Sequence, residues 1–98
     1  MANHPRTAAP LQAVQSYLEA EFPGCVEAAI ENVIAVSHAG IRHHIVLQPA
    51  FLQQCPDYAS ALRESELADY IREARSQQGR RFLVMWHERT TRVRSAPV

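Results

Sequence analysis

Apolar residues recur first at three- and four-residue steps and then at every second position. Leu11, Val14, Leu18 and Phe22, with Tyr17 beside them, make one stripe of an amphipathic helix. Pro10 suits the first helical position, where a missing N–H costs nothing, and Pro23-Gly24 stops the helix. From Val26 the period is two. Val26, Ala28, Ile30, Asn32, Ile34 and Val36 share one face; Ile41, His43, Ile45 and Leu47 continue it after Gly40. This predicts a β-hairpin with Gly40 at positive φ. Val36 then lies opposite Ile41, Ile34 opposite His43, Asn32 opposite Ile45 and Ile30 opposite Leu47.

Pro49 ends the second strand, and Phe51 and Leu52 are expected to anchor a loop. Pro56 opens a short helix carrying Tyr58, Ala61 and Leu62. The five-residue step from Leu62 to Leu67 breaks that face, and Ser65 is placed to cap a second helix. Leu67, Tyr70, Ile71 and Ala74 form its buried stripe. Glu66 and Asp69 lie near its start and Arg72 and Arg75 near its end, as the helix dipole favours, with Gly79 as terminator. Arg81 to Trp86 reads as a third strand, apolar on both faces. Thr90 to Arg94 either extends it past a bulge or forms a separate edge. The expected fold is a two-layer α/β sandwich of order α-β-β-α-α-β, with helices on one face of a small three-stranded sheet. Residues 1–9 are expected to be a flexible tail, 10–88 a single domain, and 89–98 a basic tail or strand extension.

Composition narrows the class without naming an activity. Ninety-eight residues leave room for one core, and 47% apolar content is enough to build it. No run of about 18 apolar residues exists to make a membrane-spanning helix. Net charge is zero but unevenly spread, since residues 80–98 hold Arg80, Arg81, Arg89, Arg92 and Arg94 against Glu88 alone. Lysine is absent. Cys25 and Cys55 form no paired motif, and the N-terminal residues lack an export pattern, so reduced thiols in a cytoplasmic protein are expected.

Catalytic and cofactor signatures fail one by one. Zinc needs converging ligands, but the one close pair, His43-His44, points to opposite faces of a strand. His43 is expected at the core edge, His44 in solvent near Glu31, and His38 exposed in the turn. No serine sits in a glycine elbow, and the glycines stand too far apart for a phosphate loop. Cys55 before Pro56 is the better thiol candidate, because a helix start lowers a thiol pKa. Neither enzyme chemistry, a metal, a cofactor nor an identifiable small-molecule ligand is expected, and a metal- or small-molecule-binding module or enzyme built around the histidines ranks last among the alternatives.

Two surfaces remain. Arg80, Arg81, Arg89, Arg92 and Arg94, with Phe82 and Trp86 as stacking faces, form a candidate nucleic-acid surface. The order of elements over residues 10–88 resembles that of KH-type and BolA-like domains. The Gly-x-x-Gly clamp of the former is missing, however, and Ser65 to Arg75 holds no histidine for the latter, so neither family is assigned. The other surface is apolar. Ala29, Val33, Ala35 and Val46 fall on the hairpin face away from the helices, and Leu83 and Met85, or Phe82 and Val84, join them. Such a patch marks an interface, so the expectation is a non-catalytic protein acting by protein–protein association, as a homodimer.

Overall fold

α1 (Pro5–Glu21) buries the stripe its sequence marks: Val14, Leu18 and Phe22 enter the core, with Leu11 and Tyr17 against it. The computed structural model describes residues 5–74 and 80–97. The helix starts five residues before Pro10, so residues 5–9 are helical where a tail was expected, and residues 1–4 lie outside the described part. A proline this early forfeits only one backbone bond, to the carbonyl of residue 6, which a helix tolerates. Gly24 at φ 74° then turns the chain.

β1 (Val33–His38) and β2 (Ile41–Leu47) pair antiparallel, two residues away from the expected register. Ile34 faces Ile45, Val36 faces His43 and His38 faces Ile41. Ala39 and Gly40 both take positive φ, 53° and 79°, and close a two-residue turn whose twist matches the strands. Ser37 and His38 therefore join the ladder instead of looping. A shift of two keeps every side chain of the paired residues on its face.

Residues 26–32 do not prolong β1. Ile30 and Val33 exchange both backbone bonds, 2.9 and 3.0 Å, around Glu31 at φ 57°. The chain folds back there, and Val26 bridges Val36, flanked by Glu27 N–H to Ala35 C=O and Ser37 N–H to Cys25 C=O. This short irregular strand covers the free edge of β1. Ile30 is consequently 75% exposed instead of facing Leu47, and Ala29 packs against the helix-side core. Asn32 is not opposite Ile45; its Nδ2 donates to the Leu47 carbonyl at 2.9 Å.

The expected loop after β2 is a helix, α2 (Pro49–Gln54), with Pro49 in its first turn and Phe51 fully buried. Tyr58 packs edge-on against Phe51 and donates to the Leu52 carbonyl at 2.7 Å. α3 (Tyr58–Ser65) is capped by Asp57, which accepts from Ser60 N–H. α4 (Leu67–Glu73) follows after one residue. Ser65 does not cap it. Its hydroxyl donates back to the Leu62 carbonyl at 2.7 Å, and Glu66 makes the break at φ 60°. Leu67, Ala68 and Ile71 are buried, whereas Tyr70 leaves the expected stripe and is 45% exposed. Arg75 and Gly79 lie outside the described residues. Because Glu66 holds a left-handed conformation that favours glycine, Glu66→Gly is expected to stabilise the fold by roughly 0.5–1 kcal/mol. A rise in urea midpoint at constant m-value checks it.

β3 (Arg80–His87) pairs parallel with β2, and β4 (Thr90–Pro97) returns antiparallel to β3 through Glu88 and Arg89, both at positive φ. A parallel pair requires a crossover, which the segment carrying α2, α3 and α4 supplies. The sheet has four strands in order β1-β2-β3-β4, one more than expected. Residues 90–97 are thus the separate edge that was one alternative for Thr90 to Arg94, and not a tail. Val93 is the one large apolar residue in β4, so alternation alone could not mark it. Ile34, Val36, Ile45, Leu47, Phe82 and Val84 meet the helices in one core. Among the described residues no helix is long and apolar enough to cross a membrane.

Candidate binding face

The strand registers fix what lies on the sheet face away from the helices. Val33, Val46 and Leu83 stand in one cross-strand row that ends in Arg94. The next row runs Ala35, His44, Arg81 and Ala96, and on the other side Met85 pairs with Arg92. Five of the six apolar residues expected here are therefore together: Val33, Ala35, Val46, Leu83 and Met85. Ala29 is not among them, because the fold-back at Glu31 turns it toward the core. Val33, Val46, Leu83 and Met85 are half-buried, whereas Ala35 is only 6% exposed and offers little surface; Phe82 and Val84 point inward and are buried.

The two candidate surfaces turn out to be one. Arg81, Arg92 and Arg94 rise from the same face, on its β3–β4 side, and are exposed. Arg80 lies at the inner side of the sheet, half-buried, and Arg89 sits in the hairpin turn. Arg42, at the opposite side, is held by Glu27 at 2.7 Å and 3.1 Å, and this pairing keeps the Glu27 carboxyl below its ordinary range. Among the described residues no carboxylate reaches Arg81, Arg92 or Arg94. The face is thus apolar in the middle, basic along β3 and β4, and marked by one glutamate at its far edge. The stacking half of the nucleic-acid reading is weaker, since Phe82 is buried and Trp86 packs on the core side. That Arg92 and Arg94 share one face of any strand they form follows from their spacing of two. That β4 lies beside β3 does not.

The histidines separate. His43 is fully buried, beyond the core edge expected for it, and its Nδ1 accepts from Arg80 N–H at 3.1 Å. His44 stands on the open face between Ala35 and Arg81. His38 packs edge-on against Phe22 and is half-buried, although a solvated turn was expected. Among the described residues no three His, Cys, Asp or Glu side chains converge as metal ligands would. Cys25 is exposed and Cys55 buried. Cys55 ends α2 and does not start a helix, and burial pushes its thiol pKa up, which lowers its thiolate fraction.

One groove lies on the helix side, between α3 and the start of β4. It encloses about 290 Å³ lined by Cys55, Asp57, Ser60, Trp86 and Thr91 among others. The Thr91 hydroxyl is buried there without a hydrogen-bond partner among the described residues. Comparison with protein families, characterised proteins and solved structures returns no match for this chain.

Proposed function

We propose that this protein acts by association, as a homodimer whose copies meet through the open sheet face, with no chemistry of its own. The supporting observation is the row Val33–Val46–Leu83, with Met85 beside it, on the face the helices leave uncovered. An apolar centre rimmed by arginine and methionine is the composition of a protein interface. A second copy fits better than an unlike partner because the face is polarised across its strands. A two-fold axis along the strands lays β1 of one copy over β4 of the other, with Val46 against the mate's Leu83. The arginine side of each copy then approaches the edge where Glu27 and Arg42 neutralise each other, and not the mate's own arginine side.

Val46→Glu and Val33→Glu place a carboxylate in this centre while leaving the helix-side core intact. Light scattering at about 50 μM is expected to show the wild type as a dimer and both variants as monomers with unchanged far-UV circular dichroism. Tyr70→Glu, on the helix side, should stay dimeric. A monomeric wild type at that concentration overturns the proposal. The co-location of Arg81, Arg92 and Arg94 favours a second reading, electrostatic binding of nucleic acid. Binding of an oligonucleotide by the wild type, lost in Arg92→Glu and indifferent to Val46→Glu, would support it.

A further inference from the structure

We infer that the open edge of β4 receives an extended segment of a partner protein as an added strand, one that carries acidic residues at alternate positions. The sheet has two margins, and they differ. Along β1 the segment around Val26 already occupies the edge, with backbone bonds to Ala35 and Ser37. Along β4 no described residue pairs with the side facing away from β3, although the strand is eight residues long. Its outward N–H and C=O groups form a template for another chain.

Charge selects what that chain carries. Arg92 and Arg94 are two apart and project from one face of the edge strand, with Arg81 diagonal to Arg94 on β3. An added strand would place the Cβ atoms of alternate residues about 5 Å from those of Arg92 and Arg94, so a carboxylate there can reach the guanidiniums. A second copy of β4 is a poor occupant. Antiparallel pairing through the middle of the strand sets arginine opposite arginine, and directly opposed like charges destabilise a sheet.

The other face of the added strand meets the groove beside α3. Cys55 and Trp86 supply apolar wall, and the buried Thr91 hydroxyl lies beside the Cys55 thiol. Its volume of about 290 Å³ is ample for an aliphatic side chain such as valine. The recognised sequence thus alternates acid with apolar residue. The inference rests on the edge and not on the self-association above, so a monomeric wild type would leave it standing.

The probe is a synthetic peptide of alternating glutamate and valine, compared with its lysine counterpart and with a version N-methylated at alternate residues. Titration should protect the β4 amides from hydrogen exchange. Affinity should fall at least about tenfold for the lysine peptide, as expected when complementary charge selects the partner. N-methylation removes the donors and should abolish binding. Arg92→Glu/Arg94→Glu, with both changes on exposed side chains, should reverse the preference toward the lysine peptide. Absence of binding at about 1 mM peptide, equal affinity for both charges, or indifference to N-methylation overturns the proposal. Tighter binding of a single-stranded oligonucleotide at the same arginines also overturns it.

Discussion

Phe51→Ala is expected to destabilise the protein by roughly 3–5 kcal/mol, as truncation of a fully buried aromatic does. Domains of this size are stable by only about 5–15 kcal/mol, so a large part of the folded population is at stake. Phe51 is fully buried, and the Tyr58 ring packs edge-on against it at 5.5 Å between centroids. Their contact ties α2 to the start of α3, and α2 in turn rests on β3. Removing the ring leaves a cavity that this junction cannot easily collapse, because Tyr58 is also fixed by its bond to Leu52 C=O. Urea unfolding followed by circular dichroism should show a much lower midpoint with an unchanged slope. A loss below about 1 kcal/mol, the size expected for a surface change, would mean that Phe51 is not a core residue.

That Phe51 anchors a helix illustrates what the sequence does and does not disclose. Long periodic segments were legible: the stripe from Leu11 to Phe22 and the alternation from Ile41 to Leu47 each hold enough repeats to declare their geometry. Short elements were not. α2 has six residues, too few for a stripe, and Pro49 reads equally well as a strand end or a helix start. Nor can alternation locate a reversal inside itself. Residues 26–36 keep a period of two throughout, yet Glu31 takes a positive φ that nothing in its chemistry favours, and the chain folds back.

The candidate face was legible in its faces but not in its neighbours. Face membership along a strand follows from parity alone, so the alternation of the sequence suffices to group Val33, Ala35 and Val46. Ala29 was lost at the fold-back. Whether Arg92 and Arg94 belong to the same surface depends on which strand lies beside β3, a long-range choice that parity does not encode. With β4 in that place, the two separately read surfaces become one polarised face.

Acid should weaken the protein through His43. The imidazole is fully buried on β2, and its Nδ1 accepts from Arg80 N–H at 3.1 Å, which places the ring proton on Nε2 in the neutral form. Nε2 has no hydrogen-bond partner among the described residues. Burial pushes the pKa of His43 down from 6.5, and the positive neighbours His38, His44 and Arg80 push in the same direction. The unfolded chain therefore binds a proton at a pH where the folded one does not. This contribution to stability is complete above about pH 6.5 and is lost as the pH falls toward the lower folded value. A single site can contribute at most about 1.4 kcal/mol per pH unit across that window. His43→Asn keeps an acceptor for Arg80 N–H and removes the titration. Relative to that variant, the wild type should lose stability between pH 6.5 and the lower folded value, measured by urea midpoints. Parallel pH profiles would refute the assignment. The geometry also fixes where the failure starts. Protonated Nδ1 can no longer accept from Arg80, so the Arg80 amide, at the first residue of β3 and next to the start of the parallel β2–β3 pair, should lose exchange protection before the β1–β2 hairpin does.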